Sequence, residues 1–148
     1  MYILQYCLLE KIEDSSVWIT KASKLIGEAQ YEEAIACCDE AIRLDPENSR
    51  AWYGKGGSLN LLKRHEEAIA CFDEAIRLDP EFSDAWYGKG LGLGKLKRYE
   101  EAITCFDEAI RLDPEFLDAW YGKGLALESI GRDKEAEQCF AKVKKENS

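Results

Sequence analysis

Six cysteines, one histidine, a run of alternating glycines and several repeated carboxylate pairs are the residues of this 148-residue chain that could do chemistry. Cys37, Cys71, Cys105 and Cys139 stand 34 residues apart, with Cys38 beside the first and Cys7 outside the series. Regularly spaced thiols could hold zinc or close disulfides. No CxxC pair occurs, however, and a chain of this length with 46% apolar residues needs no covalent staples, so reduced thiols in a cytoplasmic setting are expected. If the cysteines sit on stacked helix pairs, about 10 Å separates neighbours, too far for two of them to share one zinc with its sulfur bonds of about 2.3 Å. Catalysis needs a base or nucleophile held beside an orienting partner, and His65 is the one imidazole available. It fills the slot that Tyr31 and Tyr99 fill 34 residues away on either side, and Asp133 fills it further on, which points to packing. Gly88, Gly90, Gly92 and Gly94 resemble a phosphate loop, yet neither G-x-G-x-x-G nor G-x-x-x-x-G-K-[ST] can be written through them and no strand precedes them. Pairs such as Asp73 and Glu74 recur in three units and read as solvated helix surface. No catalytic residue, metal or cofactor is therefore expected.

The spacing of the cysteines belongs to the whole chain. Trp18, Trp52, Trp86 and Trp120 also fall 34 apart, and residues 49–82 match residues 83–116 at 27 of 34 positions. A fixed period of this size marks a solenoid of stacked units rather than a closed globule. The units are 15–48, 49–82, 83–116 and 117–148. Within the second, Ala68, Ile69, Phe72, Ala75 and Ile76 fall on one stripe of a helix. A first helix is expected from about Ser49, as N-cap, to about Leu62, with Trp52, Gly56 and Leu59 on one side. Lys63 and Arg64 form the turn, Glu66 and Glu67 favour the start of the second helix, and Asp73 is placed to pair with Arg77. Asp79 and Pro80 stop it.

With Trp52, Gly56, Ala68, Phe72, Ala75 and Pro80 in register, and Trp86, Gly90, Ala102, Phe106, Ala109 and Pro114 after them, the units resemble tetratricopeptide repeats over roughly residues 15–148. The resemblance implies an all-α, right-handed α-solenoid of four helix-turn-helix repeats. Two departures recur: Lys55, Lys89 and Lys123 stand where the family has Leu, and Leu59, Leu93 and Leu127 where it has Tyr. The first unit also has Ala22 for Gly and Cys38 for Phe.

A solenoid of this kind acts through the curved surface lined by its first helices. At 100° per residue, unit positions 2, 5, 9, 12 and 13 share the face turned away from the Trp and Gly. In the family those positions bind peptide. They place Tyr53, Asn60, Tyr87, Leu91, Tyr121 and Leu125 as partner-binding residues, on a face that is aromatic and aliphatic with scattered charge. Family members that grip a C-terminal carboxylate use Lys, Asn and Arg at positions 5 and 9. Here those positions read Ile19 and Ser23, Tyr53 and Gly57, Tyr87 and Leu91, Tyr121 and Leu125, so no such clamp is expected. The tyrosine row can be a contact surface or part of the packed wall. The lysine row is expected to lay its stems along the unit junctions.

The ends carry their own signals. Glu137, Lys144 and Glu146 replace the apolar residues of earlier units, which makes the last helix polar on its outer face. At the start, Leu4, Cys7 and Leu8 fall in the register of Phe72, Ala75 and Ile76, so residues 1–14 are expected to cap the first unit. The apolar start has no basic run before it and no cleavage-site pattern after it, and reads as no signal peptide. A net charge of −9 gives no footprint for nucleic acid or an anionic membrane surface, and no apolar run approaches a membrane span. The sequence thus predicts a non-enzymatic interaction module that takes a protein or peptide partner as a monomer or weak homo-oligomer. The alternative is a structural self-association module, with the apolar start of one chain docking on another.

Overall fold

The computed structural model describes residues 14–146. Among them are eight α-helices and no strand: α1 Ser15–Gly27, α2 Tyr31–Leu44, α3 Ser49–Leu61, α4 His65–Leu78, α5 Ser83–Lys95, α6 Tyr99–Leu112, α7 Leu117–Ser129 and α8 Asp133–Glu146. Each unit is one antiparallel pair, as the 34-residue period requires.

The turns within the pairs share one construction. After α3, the Arg64 amide donates to the Leu59 carbonyl and the Lys63 amide to Asn60, which satisfies the orphan carbonyls of the helix end. This closure needs a left-handed residue, found at Ala29, Lys63, Lys97 and Gly131 with φ from 59° to 76°. Glycine, which takes that conformation without strain, is present only in the last unit. Between units, the Trp52, Trp86 and Trp120 indoles donate to the carbonyls of Pro46, Pro80 and Pro114, fixing each new first helix to the turn before it.

The core is built where one unit meets the next. Phe72 lies buried between Gly56 of its own unit and Gly88 of the next, and a Cβ built on either glycine would come within 2.9 and 2.6 Å of the ring. Phe106 is held in the same way by Gly90 and Gly122. These glycines let helices approach across a phenyl ring. Lys55, Lys89 and Lys123 cross each junction to Asp39, Asp73 and Asp107 of the preceding unit, every pair at 2.6 Å.

Two local expectations change. Asn48, whose side chain accepts from the Arg50 amide, caps α3, so Ser49 is the first helical residue. Asp73 does not pair with Arg77: the half-shielded Lys89 ammonium takes the carboxylate, and Arg77 turns to Glu74.

The backbones of first helices approach one another in succession, α1 to α3, α3 to α5 and α5 to α7, while those of α2, α4, α6 and α8 come close only to first helices. The second helices are therefore splayed and the first helices form the inner side of a curve. At the far end Glu137 is exposed where Ile35, Ile69 and Ile103 of the earlier units are buried, and Lys144 and Glu146 are exposed as well. At the near end Trp18, Leu25 and Cys37 line an open hollow of about 440 Å³. The capping segment predicted over residues 1–14 lies outside the described residues except for Asp14, which accepts from the Ser16 amide at the start of α1.

Candidate functional site

The inner faces of α3, α5 and α7 carry the residues that the sequence singles out. Tyr53, at the same helical position as Tyr87 and Tyr121, has its ring 6.0 Å from Phe72 and 4.9 Å from Phe82. Tyr87 repeats this with Phe106 at 5.9 Å and Phe116 at 4.9 Å. Both are half-buried. Burial pushes their phenols above the usual tyrosine range, with Asp84 adding to the effect at Tyr53 and Asp118 at Tyr87. Tyr121 packs on Phe140 at 5.6 Å and is 51% exposed.

The partners Phe82 and Phe116 stand where the first unit has the capping Asn48. Comparison of units shows the substitution, but its purpose appears only in the stack on the tyrosine of the unit before. With no side-chain cap left, α5 and α7 begin on these aromatic contacts instead.

Leucines continue the surface: Leu61 is 53% exposed, Leu91 38% and Leu125 44%. Of the six large hydrophobic residues exposed among those described, these three and Tyr121 lie at the inward-facing positions. Leu91 of α5 and Leu125 of α7 also line one cavity of about 180 Å³. Its floor comprises Tyr99 and Phe106, which the sequence reading placed in the packing alone. Asn60 behaves differently from the other candidates. Its amide nitrogen donates to the Gly88 carbonyl at 3.1 Å, and its oxygen lies 3.0 Å from His65 Nδ1.

His65 is thus engaged in packing α4 to the end of α3. Cys37, Cys38, Cys71, Cys105 and Cys139 are buried and free. Desolvation pushes the Cys38 thiol up to about 12 and Cys105 to about 11, far from the thiolate that a nucleophile or metal ligand requires. No group of three or more potential ligands able to hold a metal ion occurs among the described residues, nor a helix long and apolar enough to cross a membrane.

Family models described as Tetratricopeptide repeat match residues 20–81 and 66–93, 83–116 and 117–148. No curated protein sequence matches significantly. Among solved structures, MamA from Desulfovibrio magneticus RS-1 is 24% identical, with a TM-score of 0.82 over 91% of this chain and 76% of its own. YrrB, a TPR protein with an unusual peptide-binding site, is 29% identical, with a TM-score of 0.79 over 95% of this chain and 73% of its own. The first TPR of Spaghetti (RPAP3), bound to the HSP90 peptide SRMEEVD, is 21% identical, with a TM-score of 0.71 over 87% of this chain and 94% of its own.

Proposed function

The chain belongs to the tetratricopeptide repeat family, and from that premise we propose that it is a non-enzymatic interaction module holding a peptide segment of a partner protein along its inner surface. The observation that carries this reading is the clustering of exposed apolar side chains, Leu61, Leu91, Tyr121 and Leu125, on the inward-facing positions of α3, α5 and α7. Exposed apolar groups gathered on one surface mark an interaction site, whereas scattered ones do not. Tyr53 and Tyr87, backed by phenylalanines, form rigid aromatic ground between them, and Asn60 shapes the wall at the α3–α5 junction. The peptide-binding site of the 29% identical YrrB supports the reading. Since positions 5 and 9 offer no Lys, Asn or Arg, recognition rests on apolar burial more than on charge.

The test uses peptides selected from a displayed random library. Tyr87→Ala should weaken a selected peptide by about 1–3 kcal/mol in calorimetry, the scale of an interface hot spot, with the helical signal kept. Raising salt from about 50 to 500 mM should change affinity less than about tenfold, because screening acts on exposed ion pairs. Unchanged affinity in the Tyr87 variant, or a steep salt dependence, would refute the apolar groove. Self-association remains the second reading, favoured by the hollow at Trp18, Leu25 and Cys37 at the near end. Light scattering of the unliganded chain separates the two: concentration-dependent mass supports it and a constant monomer mass rejects it.

A further inference from the structure

Asn60 and Gly94 occupy the same place in successive units, and the exchange of side chain for hydrogen decides whether the wall between first helices is closed. At the α3–α5 junction the Asn60 amide crosses to the Gly88 carbonyl, and a Cβ added to Gly92 would come within 3.1 Å of Asn60 Oδ1. At the α5–α7 junction Gly94 sends nothing across, and a Cβ built there would meet no atom within 4 Å. The place left open is the cavity of about 180 Å³ between Leu91 and Leu125, floored by Tyr99 and Phe106.

We propose that this cavity is an anchor site for one phenyl- or leucine-sized side chain of an extended partner segment, with a partner carboxylate beside that side chain reaching Lys95. The proposal rests on the inner-surface reading above and adds its specificity. Size argues for a single side chain: a cavity of about 150 Å³ lined by apolar groups takes up one benzene. The lining argues for an apolar one. Lys95 supplies the charge complementarity, since it stands exposed at the cavity rim and pairs with no carboxylate among the described residues, whereas Lys55, Lys89 and Lys123 each hold an aspartate.

The experiment titrates capped tetrapeptides into the isotope-labelled full chain and follows the amides of Gly94, Gly122 and Ser129. Acetyl-Ser-Phe-Asp-Ser-amide should give saturable shifts, the version with Ala for Phe none, and the version with Asn for Asp binding about two- to fivefold weaker, the scale of an exposed ion pair. Gly94→Asn, whose side chain can cross to the Gly122 carbonyl as Asn60 does to Gly88, should weaken the first peptide at least about tenfold, because it occupies the anchor volume. Lys95→Gln, an exposed change that leaves the fold alone, should abolish the preference for Asp over Asn. Equal binding of the Phe and Ala peptides overturns the proposal, as does Asp preference surviving in the Lys95 variant. Tighter binding of free 3-phenylpropionate than of the Phe-Asp peptide overturns the choice of occupant in favour of a small aromatic acid. If no tetrapeptide binds while display-selected peptides still occupy the inner surface, the cavity assignment falls and the groove stands. If those peptides also fail, both fall.

Discussion

Replacing Gly88 by alanine isolates the contact on which the stacking of units depends. The new Cβ would lie 2.6 Å from Phe72 Cε1 and Cζ, about 1 Å inside ordinary carbon contact distance. The ring has nowhere to retreat. It is 1% exposed, Gly56 stands against its other side, and the Tyr53 ring lies 6.0 Å away. Overpacking of this kind costs about 1–3 kcal/mol, while alanine in a helix interior recovers about 1 kcal/mol over glycine. Gly57→Ala provides the reference, because a Cβ there meets nothing within 4 Å and only the helix gain applies. The two variants should therefore differ by about 1–3 kcal/mol, or roughly 2–10 °C in melting temperature for a chain of this size, with Gly88→Ala the less stable. Thermal and urea unfolding followed by circular dichroism measure the difference. Adding Phe72→Leu to Gly88→Ala should recover part of the loss, which a double-mutant cycle separates from the cost of Phe72→Leu alone. Equal stability of the two alanine variants would refute the claim that these glycines serve close approach across a phenyl ring.

Lys97 holds a left-handed backbone at φ 60°, so Lys97→Gly should stabilise the chain by about 1 kcal/mol, and Gly131→Ala, at φ 76°, should destabilise it by a similar amount; thermal melts check both signs. The buried thiols predict alkaline sensitivity. Cys38 and Cys105 ionise at about 12 and about 11 in the folded chain against 9.0 for an ordinary thiol, so their contribution to stability is whole below the ordinary value and drains away as pH rises towards the folded values. Melting temperature should fall between about pH 9 and 11, less steeply in a Cys38→Ala, Cys105→Ala variant, and a pH-independent melt would contradict the burial argument.

The repetition of residues at an interval of 34 makes the helices, their pairing and the buried faces legible, because each unit reports the same packing problem solved again. Ala68, Phe72 and Ala75 are buried where the stripe places them, and Gly90 meets a phenyl ring as its helical register implies. What escapes the sequence depends on the neighbouring unit. Asp73 has an acceptable partner in Arg77 one turn along its own helix, yet Lys89 of the next unit, partly shielded from solvent, takes it. Phe82 and Phe116 sit where a cap is usual, and their stacking on Tyr53 and Tyr87 is visible only when units are placed side by side. The inward position of Asn60 is readable from 100° steps along the helix, but not that its amide is committed to Gly88 and His65. Nor does the glycine at position 94 announce a cavity, since the opening is defined by what Asn60 does in the unit before.

The measurement that bears most directly on the central claim is the map of amide shifts produced by a display-selected peptide at saturation. The largest changes should fall on inward-facing residues of α3, α5 and α7, among them Tyr53, Tyr87, Leu91, Tyr121 and Leu125. Changes concentrated instead on the exposed outer positions of the second helices, at Ala36, Ala70 and Thr104, would contradict the account.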